Sequence, residues 1–122
     1  EKIFVKNRSE NNALNLKKKF PEINLIDWNK TIDVDMIINA TSIGLKKGEK
    51  LDIDLKKFGE NKFFYDVIYN PKETNFLYEA RKMGNLTENG KMMFIYQAHQ
   101  AFSVWHKIFP VIDDEVIRIV EK

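Results

Sequence analysis

The chain has 122 residues, enough for one domain with one hydrophobic core. Its 20 basic and 18 acidic residues leave a net charge of +2, so charge gives no reason to expect a nucleic acid or an acidic membrane surface as partner. The absence of cysteine excludes disulfides and thiolate metal sites. The sequence contains no apolar run of about 18 residues, so no membrane span is predicted. We expect a cytoplasmic protein. Because the sequence opens inside an apparent strand, without Met, we also expect it to be the C-terminal part of a longer one.

The first half of the chain alternates strand and helix signals. Residues 2–7 predict a short strand, and Ser9 is a good N-cap for a helix that Pro21 ends. Residues 23–28 predict a second strand. Residues 35–39 predict a third, whose nearly continuous apolar character is typical of a strand buried on both faces of a parallel sheet.

The second half continues the alternation. Gly84 is predicted to end one helix, and Pro110 is predicted to end a longer one. The predicted helices span residues 55–58, 75–83, 91–107 and 114–121, and the predicted strands span 63–69 and, at the sheet edge, 85–88. Strands that alternate with helices predict an α/β fold with a parallel sheet, in which ligands bind beyond the carboxyl ends of the strands.

A polar turn follows the third strand. Asn39, Thr41 and Ser42 supply small hydrogen-bonding side chains just before Gly44. Their hydroxyls and the turn amides could bind a phosphate or a ribose at this end of the sheet. The same residues also form ordinary turns after strands, and periodicity does not decide between the two interpretations.

Four motifs carry a resemblance to a known family. They are N-R-S at 7–9, N-A-T-S-x-G at 39–44, Y-D-V-I-Y-N-P at 65–71 with Thr74, and N-G through Met to Y-Q-A at 89–98. In this order and spacing they resemble the C-terminal half of shikimate dehydrogenase over nearly the whole chain. The resemblance implies a Rossmann-like parallel sheet with flanking helices, which in this chain lacks its first strand and its Gly-rich phosphate loop. That strand would lie between those at 2–7 and 35–39, so each should have an unpaired edge and the chain should not fold alone.

The resemblance also implies a reaction and a domain arrangement. Residues 1–108 would be part of the C-terminal NADP-binding domain, and residues 109–122 would form a C-terminal helix that packs toward an N-terminal substrate domain absent from this chain. The intact enzyme would reduce 3-dehydroshikimate reversibly to shikimate with NADPH. The family's catalytic Lys and Asp belong to that absent domain, so we expect no catalytic residue here and little or no activity from this part alone.

Arg8 is the residue that favours NADP over NAD. NAD-binding domains usually end the second strand in an acid, whereas here that strand ends in Asn7-Arg8-Ser9, and a guanidinium suits a 2′-phosphate. Asn12 stands where the family often has a second basic residue, so we expect a weaker preference for NADP. With the positions that the resemblance adds, the predicted cofactor-binding residues are Asn7, Arg8, Ser9, Asn12, Asn39, Thr41, Ser42, Val67, Gly90 and Met93.

Tyr69 and Gln97 are the substrate-binding residues that the resemblance implies. We expect Val67 and Tyr69 at the carboxyl end of the strand at 63–69, and Gln97 on an apolar helix face where a buried amide needs partners. Half-buried packing would also explain Tyr69, and a bond to a nearby loop would also explain Gln97. Two other functions stay open: a quinate or quinate/shikimate dehydrogenase paralogue that uses NAD, and a non-catalytic dinucleotide-binding module.

Overall fold

The computed structural model describes residues 2–120, which divide into two compact units, the first ending at Asp33 and the second beginning at Val34. The first unit contains β1 (Phe4–Val5), α1 (Glu10–Lys19) and β2 (Asn24–Leu25). The elements of the second unit are β3 (Met36–Asn39), a 3₁₀ turn (Leu55–Phe58), β4 (Phe63–Asp66), α2 (Asn75–Lys82), β5 (Leu86–Asn89), α3 (Lys91–His106) and α4 (Asp114–Ile119). Within residues 2–120, none of the helices has the length and apolar character that crossing a bilayer requires.

The first unit is a strand–helix–strand arrangement. Its two strands pair in parallel, with Phe4 opposite Asn24. The Ser9 hydroxyl oxygen accepts a hydrogen bond from the backbone amide of Asn12 at 3.4 Å, which confirms the predicted N-cap of α1. The helix ends at Lys19, just before Pro21, as predicted.

The second unit contains a three-stranded parallel sheet in the order β3-β4-β5. Met36 pairs with Phe63, and Phe63 pairs with Leu86, so the strands start level with one another. The strand at the centre, β4, is followed by α2, which contacts both β4 and β5. The α/β prediction is therefore confirmed, as is the edge position of β5.

The core of the second unit lies between the sheet and α2. Its centre is an aromatic pair, in which the Phe64 and Phe76 rings lie 5.4 Å apart. Leu77 and Ala80 complete the buried cluster from the helix side. Residues 37, 51, 55 and 58 pack around this cluster with partly buried apolar side chains.

The third strand departs from its predicted burial. We expected both faces of β3 to be buried, but Met36 is 43% exposed and Ile38 is 54% exposed. Met36 and Ile38 point to one face of the strand, because alternate residues share a face, and that face is open, whereas Ile37 and Asn39 on the other face are partly and fully buried. Among residues 2–120, β1 pairs with β2 alone and β3 pairs with β4 alone, so each has an edge without a strand partner there.

Several element boundaries differ from prediction by one to three residues, and two of these differences have a clear local cause. The strand β4 ends at Asp66 and not at residue 69, because the Ile68 amide donates to the Asp66 carboxylate at 3.0 Å and is lost to strand pairing. Val67 and Tyr69 therefore lie in the loop after β4. The helix α3 ends at His106, one residue before its predicted end and ahead of Pro110, because Lys107 adopts the left-handed conformation with φ of 55°.

The last predicted helix is present as α4. Asp113 caps α4 by accepting hydrogen bonds from the amides of Glu115 and Val116 at 3.1 and 3.0 Å. The helix ends at Ile119. Its predicted end at residue 121 lies outside the described residues.

Candidate functional site

Three polar residues form a row at the carboxyl end of the sheet in the second unit. Asn39, Asp66 and Asn89 are the last residues of β3, β4 and β5, and the strand register places them opposite one another. Ligands of parallel α/β sheets bind at this end. The row therefore marks the part of the unit where a site is expected.

Asp66 is the buried centre of this row. Its side chain is fully buried, at 0% exposure. The Asn39 amide nitrogen donates to both carboxylate oxygens at 3.1 Å, and the Thr74 hydroxyl donates to one of them at 2.6 Å. The Ile68 amide donates to the other oxygen at 3.0 Å. These donors compensate for the loss of water that makes a buried carboxylate costly.

Asn39 holds the polar turn through the rest of its side chain. Its oxygen accepts hydrogen bonds from the Thr41 amide at 3.1 Å and from the Thr41 hydroxyl at 2.8 Å. Its nitrogen also donates to the Ile43 carbonyl at 3.1 Å. Asn39 is 3% exposed, whereas Thr41 and Ser42 are exposed. Of the three residues predicted here, Asn39 shapes the turn and the other two reach solvent.

The far side of the turn is closed by Gly44 and Glu49. Gly44 has φ of 119°, and a Cβ there would lie 3.1 Å from Thr74, so this position favours glycine. The amides of Gly44 and Lys46 donate to the Glu49 carboxylate at 3.0 and 3.2 Å. These two hydrogen bonds lower the pKa of Glu49 below its ordinary value. The turn therefore packs against Thr74 on one side, and on the other side its amides are held by the Glu49 carboxylate.

Gly90 and Val67, both predicted to bind the cofactor, lie in direct contact. A Cβ on Gly90 would lie 2.0 Å from the Val67 carbonyl oxygen, which is far closer than van der Waals contact. The Gly90 amide donates to the Ile68 carbonyl at 3.2 Å. Only glycine allows the start of α3 to approach the loop after β4 so closely.

Tyr69 is held by the first turn of α3. Its ring stacks on Phe94 with centroids 4.6 Å apart and planes 20° apart. Tyr69 is half-buried, as is common for a side chain with an apolar ring and a polar hydroxyl. Met93, predicted to bind the cofactor, is the residue before Phe94 and is partly buried.

Gln97 does not have the burial that we predicted. It lies four residues after Met93, on the same side of α3, but its side chain is exposed. The prediction assumed that an apolar helix face is a covered face. Its neighbour Tyr96 is exposed as well, at 58%, so this stretch of α3 is open to solvent.

The remaining predicted residues lie at the N-terminus of α1, in the first unit. The Asn7 side-chain oxygen accepts a hydrogen bond from the Ser9 amide at 3.3 Å, next to the cap that joins Ser9 to Asn12. Arg8 is exposed, as are these three neighbours. The local bonds use the oxygens of Asn7 and Ser9 as acceptors, so the Asn7 amide hydrogens and the Ser9 hydroxyl hydrogen can still be donated to a ligand.

Asp66 and Thr74 belong to the third of the four motifs, but no role was predicted for either residue. A signal was present, because an acid inside the apolar run F-F-Y-D-V-I needs buried donors. A groove that reaches Asn89, at the end of the row, contains none of the predicted site residues. It is lined by Lys72, Glu73, Leu77, Thr87, Glu88, Asn89 and Lys91.

Replacing Gly90 by alanine should destabilise the protein strongly. The new Cβ would meet a backbone oxygen that cannot rotate away, so we expect a loss of about 3 kcal/mol or more in urea unfolding of the intact protein. The matched control is Gly84→Ala, where φ is 77° and no atom lies within 4 Å of the new Cβ. That change should cost about 1–2 kcal/mol from backbone strain alone. Equal costs for both variants would contradict the close approach at Gly90.

Comparison with known proteins identifies relatives of the whole chain, although no protein-family model matches it. A shikimate dehydrogenase (NADP(+)) from Pelagibacter ubique is 60% identical over 121 residues, which cover 99% of this chain and 46% of that protein. The crystal structure of shikimate 5-dehydrogenase from Thermus thermophilus in complex with NADP(H) and shikimate matches with a TM-score of 0.82 at 27% identity, over 98% of this chain and 45% of that one.

A shikimate dehydrogenase crystallised in complex with NADP⁺ matches with a TM-score of 0.77 at 32% identity, again over 98% of this chain and 45% of that one. The chain thus spans about half the length of the curated relatives that it matches. These likenesses agree with the resemblance that the four motifs carry. The chain is homologous to shikimate dehydrogenases and corresponds to a little under half of their length.

Proposed function

We propose that this chain is the NADP-binding half of a shikimate dehydrogenase, which as an intact protein reduces 3-dehydroshikimate reversibly to shikimate in the cytoplasm. The observation that carries the proposal is 60% identity to a shikimate dehydrogenase (NADP(+)) across 99% of the chain. Residues 1–108 belong to the cofactor-binding domain in this proposal. Residues 109–122 pack toward a substrate domain that lies outside the chain.

Arg8 provides the contact that selects NADP. The strand β1 is followed by Asn7, Arg8 and Ser9, with no acid to accept from a ribose 2′-hydroxyl. The exposed guanidinium of Arg8 can bind a 2′-phosphate through two hydrogen bonds. The donor hydrogens of Asn7 and Ser9 lie beside it at the N-terminus of α1, where the helix dipole also favours an anion.

The nicotinamide end of the cofactor is assigned to the loop after β4 and the start of α3. Val67 and Gly90 bring two backbone segments into contact there, and Met93 lies one helical turn further along α3. These residues present a small apolar surface that can orient a flat ring and exclude water from one side of it. When bound, the nicotinamide supplies or accepts the hydride, and the protein residues orient it.

Tyr69 and Gln97 provide the substrate contacts. The stack on Phe94 fixes the direction of the Tyr69 ring, and Gln97 is the exposed polar residue one turn after Phe94 on α3. A phenol hydroxyl and a side-chain amide can both donate to and accept from the hydroxyls and carbonyl of the substrate. The proton transfer is assigned to the Lys and Asp of the other domain, so this part alone should be inactive.

The intact protein should oxidise shikimate with NADP⁺, and Arg8→Ala should weaken NADP⁺ binding selectively. Losing a charge-assisted hydrogen bond to the 2′-phosphate should raise the KM for NADP⁺ about 10- to 100-fold and leave the KM for NAD⁺ nearly unchanged. Absorbance of the reduced cofactor measures both. Arg81→Ala is the matched control, because Arg81 pairs with Glu73 at 2.9 Å on the surface of α2.

Other results of this assay would favour the alternatives. Faster turnover with quinate or with NAD⁺ would indicate a paralogue. Nucleotide binding without turnover of any substrate would indicate a non-catalytic module. An equal effect of Arg8→Ala on both nucleotides would contradict the assignment of Arg8 to the 2′-phosphate.

Gln97→Ala should impair substrate binding without impairing cofactor binding. Because the amide is assigned to substrate hydroxyls, the KM for shikimate should rise about tenfold or more, while the KM for NADP⁺ stays constant. Gln100→Ala is the control, since Gln100 is a second glutamine on the same helix. Indistinguishable steady-state constants for the two variants would refute the role of Gln97.

A further inference from the structure

We propose that Asp66 is a positioning residue for this reaction, because its buried carboxylate fixes the positions of two segments together. These are the turn at residues 39–44, called the cofactor turn, and the loop at residues 67–70, called the Tyr69 loop. The inference rests on the proposed function. The cluster that carries it, called the Asp66 cluster, consists of Asn39, Asp66 and Thr74. Each of these three residues is at most 3% exposed.

The first connection runs from Asp66 to the cofactor turn. Asn39 donates to both carboxylate oxygens at 3.1 Å and uses its own oxygen to hold the amide and hydroxyl of Thr41. Thr41 in turn accepts from the Ile43 amide at 3.1 Å. The orientation of the Asn39 amide therefore decides the shape of the turn, and Asp66 decides that orientation.

The second connection runs from Asp66 to the Tyr69 loop. The Ile68 amide donates to the carboxylate at 3.0 Å, and the Ile68 carbonyl accepts from the Gly90 amide at 3.2 Å. Hydrogen bonds therefore hold both the backbone amide and the backbone carbonyl of Ile68. Tyr69 follows directly and stacks on Phe94, so the carboxylate sets the backbone from which the Tyr69 ring projects.

The third connection runs from Asp66 to the start of α2. The Thr74 hydroxyl donates to the carboxylate at 2.6 Å while its oxygen accepts from the Leu77 amide at 3.4 Å as the N-cap of that helix. The methyl group of Thr74 also lies against Gly44, at the end of the cofactor turn. The connection from β4 to α2 is therefore anchored at both of its ends by one side chain.

These connections require a carboxylate at position 66. A carboxylate accepts through both oxygens, whereas an asparagine would accept through one and turn two amide hydrogens toward donors. Asn39 or Thr74 would then face another donor and have to move. Asp66→Asn keeps the size of the side chain, so it perturbs the hydrogen bonds and leaves the packing volume unchanged.

The test compares Asp66→Asn with a core variant in the intact protein. Phe76→Leu is the control, because Phe76 is buried against Phe64 and its side chain has no hydrogen-bonding group. Asp66→Asn should lower kcat for shikimate oxidation about 10- to 100-fold, since a misplacement of about 1 Å can have that effect. Phe76→Leu should lower the melting temperature but leave kcat within about twofold below its melting temperature.

Hydrogen exchange provides a second measurement, which needs no turnover. In Asp66→Asn, amides in residues 39–44 and 67–70 should exchange faster, while those of α3 should not. If Asp66→Asn does not fold, the pair Thr74→Val and Thr74→Ser replaces it. Serine keeps the hydroxyl, so Thr74→Ser should retain the wild-type kcat. Valine lacks the hydroxyl, so Thr74→Val should lower kcat.

Each outcome bears on one of the two proposals. An inactive wild-type protein would refute the proposed function, while the exchange pattern would still test the Asp66 connections. An active wild type with unchanged kcat, KM and exchange in Asp66→Asn would overturn the inference. Equal losses of kcat in Asp66→Asn and Phe76→Leu would overturn it too, because they would show a purely structural role.

Discussion

A carboxylate buried at the end of a strand must have hydrogen-bond donors, and this requirement organises the candidate site. Asp66 is fully buried, and its donors come from three places: the end of β3, the loop after β4 and the N-cap of α2. Along the chain, Asn39 at the end of β3 precedes β4, whereas Ile68 and Thr74 follow it. The need to satisfy one anion therefore joins backbone segments that strand pairing alone would not fix.

The edges of the two sheets impose a second constraint. A strand with apolar residues and an unpaired edge loses stability and invites pairing with other chains. Ile38 on β3 is 54% exposed, and Trp105 near the end of α3 is 76% exposed. Exposed apolar side chains such as these are consistent with the finding that the chain spans about half the length of its relatives.

Much of the fold could be predicted because local signals and tertiary structure agree. Apolar periodicity, the N-cap at Ser9 and the glycine at position 84, just after α2, located most elements to within a few residues. The end of β4 could not be predicted in this way, because it depends on a side chain of the strand competing for the Ile68 amide. The exposure of Gln97 was also missed, since an apolar pattern shows that a face can be buried and not which surface covers it. The four motifs indicated the family, whereas the role of Asp66 needed three-dimensional contacts.

A crystal structure of the intact protein with NADP⁺ and shikimate bound would test these assignments together. The Arg8 guanidinium should lie within about 3.2 Å of the 2′-phosphate, and the nicotinamide should lie beside Val67 and Gly90. Tyr69 and Gln97 should contact shikimate, with the hydrogen bonds between Asn39 and Asp66 unchanged. A nucleotide bound away from these residues, or shikimate beyond the reach of both Tyr69 and Gln97, would contradict the assignments.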